Sequence, residues 1–198
     1  MKSLYHFCQG ESHKSTDKPC QDFAYAEHSP TLSMAIVSDG HGGERYFRSD
    51  RGSRFAVEIA KSSILEFVRN MSASTLTEKG KSSPFENTPF TSYIADSQLP
   101  DNKPSRAHQA LQWLFSSIIT QWNIAVNEDA QHCDLTSWEK EHVESQYQDE
   151  FCEKRKDETA TFEKTYGCTL MAYVQTPSYW FAFQLGDGKC VFINKKDN

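Results

Sequence analysis

The chain has 198 residues, enough for one domain with a substantial core, so covalent cross-links are not needed for stability. A formal net charge of −6 argues against a nucleic-acid or anionic-membrane surface, and no apolar run reaches transmembrane length. Six scattered cysteines (Cys8, Cys20, Cys133, Cys152, Cys168, Cys190), with no Cys-x-x-Cys pair and no signal-peptide-like start, predict reduced, mostly buried thiols in a cytoplasmic protein and disfavour zinc.

Residues 3–11 read as a first strand, followed by the polar, loop-like run from His13 to Pro19. Cys20 to Ala26 alternates as a half-buried strand does, and His28-Ser29-Pro30-Thr31 is a turn. Leu32-Ser33-Met34-Ala35-Ile36-Val37-Ser38 is an apolar strand that breaks into Asp39-Gly40-His41-Gly42-Gly43. Three short strands are therefore expected before any helix. A hairpin joining the last two would bring Asp22 and Asp39 close together.

Ala56, Ala60, Ile64, Phe67 and Met71 then recur at helical spacing, predicting a helix that starts between Gly43 and Asp50 and ends near Asn70. Its small residues suit close packing on a sheet. Residues 72–105 are rich in Ser, Thr, Pro, Asn and Lys and read as a long surface loop. A second helix is expected from about Ser105 to Glu128, with Leu111, Leu114, Phe115, Ile118, Trp122 and Ala125 on one face and Trp113 off it. Thr136-x-x-Glu139 has the form of a capping box opening a charged, solvated helix that runs to about Lys156. Strands return at Gly167–Val174, Tyr179–Leu185 and Lys189–Ile193, with Gly186-Asp187-Gly188 turning between the last two. No closing element follows, so the chain reads as cut short at its C-terminal side.

The stretch from Asp39 to Gly43 carries the chemistry. Glycines admit close backbone approach or positive φ. A carboxylate two residues before an imidazole, with a bare carbonyl between them, offers a hard-cation ligand beside a proton donor. Asp-Gly alone is also an ordinary hairpin turn. The plainer reading of Asp22 is a turn cap, and of Asp187-Gly188 a hairpin corner.

Asp39-Gly40-His41-Gly42-Gly43 at a strand end resembles the signature of the metal-dependent protein serine/threonine phosphatases of type 2C, the PPM-like group. Gln21-Asp22 resembles that family's acidic segment after its first strand. Gly167-Cys168-Thr169 and Gly186-Asp187-Gly188 are similar to its Gly-x-Thr strand and Gly-Asp turn. The layout is closest to bacterial members. The resemblance spans essentially all 198 residues but only about the first two-thirds or more of a full family domain.

It implies an α+β fold, a four-layer αββα sandwich of two antiparallel sheets each covered by a helix pair, here with its C-terminal part missing. Residues 1–198 would be one such domain, with 72–105 as a loop insertion. It also implies hydrolysis of phosphoserine and phosphothreonine esters by a metal-activated water, with two or three Mg²⁺ or Mn²⁺ ions. By that resemblance Asp39 bridges two ions, the Gly40 carbonyl binds one, Asp22 acts close by and Asp187 joins a third. His41 protonates the departing oxygen.

The family's phosphate-gripping Arg near the first strand has no counterpart, because no Arg precedes Arg45. Lys14 or His13 is the candidate substitute. The family's two later metal-binding aspartates have no match, since the sequence ends eleven residues after Asp187. The expected partners are a phosphorylated protein and a cognate Ser/Thr kinase, with no nucleic acid and no membrane. The rival readings are a catalytically dead phosphatase-like module that binds phosphoproteins or regulates a kinase, and a hydrolase of small phosphorylated metabolites.

Overall fold

A computed structural model describes residues 3–9, 18–71 and 106–188 of the chain. Among these, alternating apolar residues build one four-stranded antiparallel sheet, in the order β1 (Phe23–His28), β2 (Ser33–Ser38), β3 (Leu170–Gln175) and β4 (Trp180–Leu185). The fold is α+β. β1–β2 and β3–β4 are sequence-local hairpins, and the central β2–β3 pairing closes across the whole helical part of the chain.

Register follows the period-2 pattern. Met34 and Ile36 of β2, Leu170, Ala172 and Val174 of β3, and Phe181 and Phe183 of β4 share one buried face. Ala35, Val37, Tyr173 and Trp180 turn to the other, and Val37 and Trp180 remain 43% exposed. Among the described residues, helices cover only the first face. α1 (Ser49–Asn70) buries Ala56, Ala60, Ile64 and Phe67 at the predicted spacing, and α2 (Arg106–His132) adds Leu111, Leu114 and Ile118. Full burial of each large side chain is worth about 1.5–3 kcal/mol, which makes this the main stabilising cluster.

A second cluster forms where the far end of α2 meets α3 (Ser137–His142), α4 (Ser145–Lys154) and the segment before β3. Phe47, Val126, Ala130, Val143, Phe151, Phe162 and Tyr166 fill it. Gly52 lets α1 approach this segment, because an added Cβ would lie 1.9 Å from the Tyr166 carbonyl oxygen. Trp122 Nε1 donates to the Gly52 carbonyl at 2.9 Å and links the two clusters.

Several expectations are corrected. Residues 3–9 form no strand, although Tyr5 packs on Tyr25 and Phe7 on Phe23 with ring centroids 5.5 and 4.7 Å apart. That segment runs beside β1 through its aromatic rings and makes no ladder, so among the described residues two strands precede α1 rather than three. The capping box of Thr136 and Glu139 forms as expected, but the helix it opens stops at His142, with Val143 extended and buried in the second cluster. Chain direction changes there and α4 starts afresh. Glu139 is not on a solvated face: it is 3% exposed. Of the five described cysteines, Cys20, Cys133 and Cys168 are half-buried and Cys8 and Cys152 exposed; Cys152 sits on the solvent side of α4 while its neighbour Phe151 takes the core position. On α2 the buried residues past Ile118 are Val126 and Ala130, with Ala125 partly exposed. The loop 72–105 and the strand expected at 189–193 lie outside the described residues.

Candidate active site

β1 and β2 form one continuous hairpin whose open end carries the Asp-Gly-His segment. Phe23 pairs with Ser38. One pair further, Asp22 falls opposite Asp39, and beyond them the Gly40 N–H donates to the Gln21 carbonyl at 3.1 Å. By strand alternation both carboxylates belong to the sheet face that no described helix covers. Asp22, Asp39, Gly40 and Gly42 line a cleft of about 270 Å³ together with Gln9, Pro19, Cys20 and Gln21. The sequence expectation that a hairpin brings the two acids together is met.

Each residue of the turn is fixed by a neighbour. The Asp39 N–H donates to Thr169 Oγ1 at 3.2 Å, and its carbonyl accepts from the Thr169 N–H at 2.8 Å. Ser38 Oγ donates to the Thr169 carbonyl. Gly40 is buried between two backbone segments: an added Cβ would sit 2.6 Å from the Gln21 carbonyl oxygen and 2.8 Å from that of Ser49. Only glycine fits. The His41 N–H donates to the Gly167 carbonyl at 2.9 Å, and its own carbonyl accepts from Gln21 Nε2 at 3.0 Å and Ser49 Oγ at 2.9 Å. Its imidazole is exposed and meets the Tyr46 ring at 4.7 Å, nearly perpendicular.

Asp187 is exposed and is not among the cleft's lining residues. It stands at the same end of the sheet, on the turn after β4, where Gly186 has a φ of +101° and packs against Thr169. His13 and Lys14 lie outside the described residues. Among the described residues no group of three or more His, Cys, Asp and Glu side chains is arranged to hold a metal ion. The acids contributed here are the two of the hairpin.

Sequence reasoning gave no role to Gln21, Ser49, Tyr46 or Lys18. Gln21 was visible only as the neighbour of Asp22, and nothing local marks Ser49 or Tyr46. Lys18 Nζ donates to the Gly42 carbonyl at 2.6 Å, placing a cation beside the signature turn. Burial lowers its pKa, against the opposing charges of Glu44 and Asp50. Burial likewise pushes the Cys168 thiol up to about 11, next to Ser38 and Asp39, so this cysteine is a poor nucleophile at neutral pH.

Behind the turn lies a buried ion network. Arg48, fully buried, donates from Nε to Glu139 Oε1 at 2.7 Å and from Nη2 to Glu139 Oε2 at 3.2 Å. Its Nη1 reaches the Tyr166 hydroxyl at 3.0 Å, and that hydroxyl donates to Asp129 at 2.6 Å. The guanidinium also stacks over Phe151 at 4.5 Å. Burial alone would lower the Arg48 pKa; the bonds to Glu139 and Tyr166 override it and keep the group charged. The Arg48 N–H donates to the Thr165 carbonyl at 3.1 Å, so the network holds the segment that delivers Gly167 to His41.

No helix among the described residues is long and apolar enough to cross a membrane. No curated protein and no solved structure is significantly similar to the chain. The sequence model of the family described as protein phosphatase 2C matches residues 9–198, which includes both strands of the acidic hairpin, the Gly-x-Thr segment and the Gly-Asp turn. The chain belongs to the protein phosphatase 2C family.

Proposed function

We propose that the chain hydrolyses phosphoserine and phosphothreonine esters of proteins, using Mg²⁺ or Mn²⁺ held at the Asp22–Asp39 cleft. The observation that carries this reading is the pairing of two carboxylates and a glycine backbone around one cleft. These are hard oxygen donors, suited to Mg²⁺ or Mn²⁺. A side chain at position 40 would collide with the Gln21 and Ser49 carbonyl oxygens, so glycine there keeps the two segments together behind the cleft.

Phosphate-monoester hydrolysis is among the slowest uncatalysed reactions, so nearly all the rate must come from the site. Bound divalent cations supply neutralisation of phosphoryl charge and a more acidic water. Asp39, Asp22 and the Gly40 carbonyl would hold two of them, and Asp187 a third. His41 gives a proton to the departing serine or threonine oxygen. Lys18, at the rim of the turn, is the described cation best placed to meet substrate phosphate, with His13 and Lys14 as the candidates outside the described residues.

In this reading the sheet is one half of a two-sheet sandwich within a single domain. Its support is the apolar sheet face that no described helix covers, on which Val37 and Trp180 are exposed and toward which the acidic pair projects. A second sheet there would wall the cleft. The protein acts in the cytoplasm on phosphoproteins and alongside a Ser/Thr kinase.

The test is turnover by the full chain with Mn²⁺, Mg²⁺ or EDTA, on phosphoserine and phosphothreonine peptides against small phosphorylated metabolites. Metal-dependent release of phosphate from the peptides, lost in Asp39→Ala, is expected. Phosphopeptide binding without turnover would replace this reading by a binding module, and preference for metabolites would replace the substrate class.

A further inference from the structure

We propose that Tyr46 is a positioning residue that sets the direction of the His41 imidazole, and that Gly43 and Gly167 are glycines because they seat Tyr46. The inference rests on the reading of His41 as the proton donor. His41 has its N–H and carbonyl fixed by Gly167, Gln21 and Ser49, so its backbone cannot turn. The imidazole is exposed, however, and two side-chain torsions remain to be restrained. A proton donor serves only when its nitrogen is held within hydrogen-bond reach of the leaving oxygen.

Three groups meet at the ring. Tyr46 stands nearly perpendicular to it, at 83° with centroids 4.7 Å apart, a favourable arrangement for aromatic rings. Gly167 lies against the same junction: an added Cβ would fall 2.7 Å from His41 Nδ1 and 3.0 Å from Tyr46 Cδ1. The other edge of Tyr46 rests on Gly43, where a Cβ would come 3.2 Å from Cδ2. Tyr46 is thus wedged between two bare backbones, one from the signature turn and one from the strand lead-in. It ends a short 3₁₀ turn (Glu44–Tyr46), its N–H donating to the Gly43 carbonyl at 2.9 Å, and buried Phe47 and Arg48 follow at once. Gly42, by contrast, has open space where its Cβ would be, so the glycine requirement follows Tyr46 rather than the turn as a whole.

The experiment compares Tyr46→Phe, Tyr46→Leu and Tyr46→Ala in the full chain by two readouts. The first is the NMR signal of the His41 ring protons. The perpendicular aromatic ring should shift them in the wild type and in Tyr46→Phe, and the shift should vanish in Tyr46→Leu and Tyr46→Ala. Unchanged His41 signals in both aliphatic variants overturn the contact. The second is kcat and KM on a series of aryl phosphates with Mn²⁺. Loss of the ring should lower kcat by roughly 10-fold or more for poor leaving groups and little for p-nitrophenyl phosphate, with KM nearly constant and Tyr46→Phe close to wild type. An equal loss across all leaving groups, or none, overturns the positioning role. A wild-type chain without turnover removes the catalytic reading itself, and the NMR arm then decides alone whether Tyr46 holds the ring.

Discussion

Asp22 stands directly opposite Asp39, one pair beyond the last residues of the β1–β2 ladder. Hydrogen-bonded pairs flank it, since Gly40 donates to Gln21 on one side and Phe23 faces Ser38 on the other. It therefore occupies a non-hydrogen-bonded site, where side chains approach most closely, at about 4.5 Å between Cα atoms. Like charges placed there are destabilising by about 0.2–1 kcal/mol, a cost that a bound cation reverses.

Asp39→Asn is therefore expected to melt at or slightly above the wild type in EDTA, yet to lose the rise in Tm that Mn²⁺ gives the wild type. Asp22→Asn should keep part of that rise, with metal affinity weakened roughly 10–100-fold. Thermal melts with and without Mn²⁺ measure both. An Asp39→Asn variant that still gains stability from Mn²⁺ would remove this pair from the metal site.

The glycines of the site make a graded series. At Gly52 an added Cβ meets the Tyr166 carbonyl at 1.9 Å, at Gly40 it meets two carbonyl oxygens at 2.6 and 2.8 Å, and at Gly42 it meets nothing within 4 Å. Gly52→Ala should be the most destabilising, and Gly40→Ala should cost about 1–3 kcal/mol as backbone is forced apart. Gly42→Ala should leave the fold unchanged. Urea unfolding gives the order, and an equal cost at Gly40 and Gly42 would contradict it.

What the sequence made legible was what is local. The apolar strand read at Leu32–Ser38, the stripe from Ala56 to Phe67 and the Thr136–Glu139 capping box each act within a few residues, and each forms as an element there. Arg48 and Glu139 are the opposite case. Each looks like a surface charge, because such residues are almost never fully buried unless paired. Their partners lie 91 residues apart in sequence, so no single window contains the pair. The same holds for Tyr46 and Gly167, whose contact depends on a sheet closed across the helices. The acidic hairpin was readable because its two aspartates sit on adjacent strands joined by a short turn.

The Arg48–Glu139 pair gives a third prediction. Both groups are almost wholly buried and joined by two hydrogen bonds. Removing one partner strands the other, so Glu139→Ala should cost about 3–5 kcal/mol. Glu139→Gln keeps the shape and the Thr136 cap and should cost less. Because Arg48 also holds the Thr165–Gly167 segment, Glu139→Gln should lower kcat while leaving KM nearly unchanged. Equilibrium unfolding and steady-state kinetics test this, and a Glu139→Ala variant as stable as the wild type would show that the pair carries no net weight.

Asp129 gives the pH dependence. Burial would raise its pKa, but hydrogen bonds from the Tyr166 hydroxyl at 2.6 Å and the Arg51 guanidinium at 2.8 Å outweigh this, with the Cys133 thiol adding to them, and its pKa lies below the ordinary 3.8. Arg48 faces it as well, at 3.5 Å. The folded state therefore holds fewer protons than the unfolded chain as pH falls through the ordinary carboxylate range. The stabilisation is complete above that range and is lost as pH drops through the lower, folded value. Asp50 runs the other way: burial raises its pKa, so its charge costs stability at neutral pH and acid relieves it. Asp129→Asn should accordingly lose about 1.5–3 kcal/mol at pH 7, the usual worth of hydrogen bonds to a charged group, and less near pH 3. Urea denaturation at the two pH values measures the difference. An equal loss at both would mean that Asp129 contributes through packing and not through its charge.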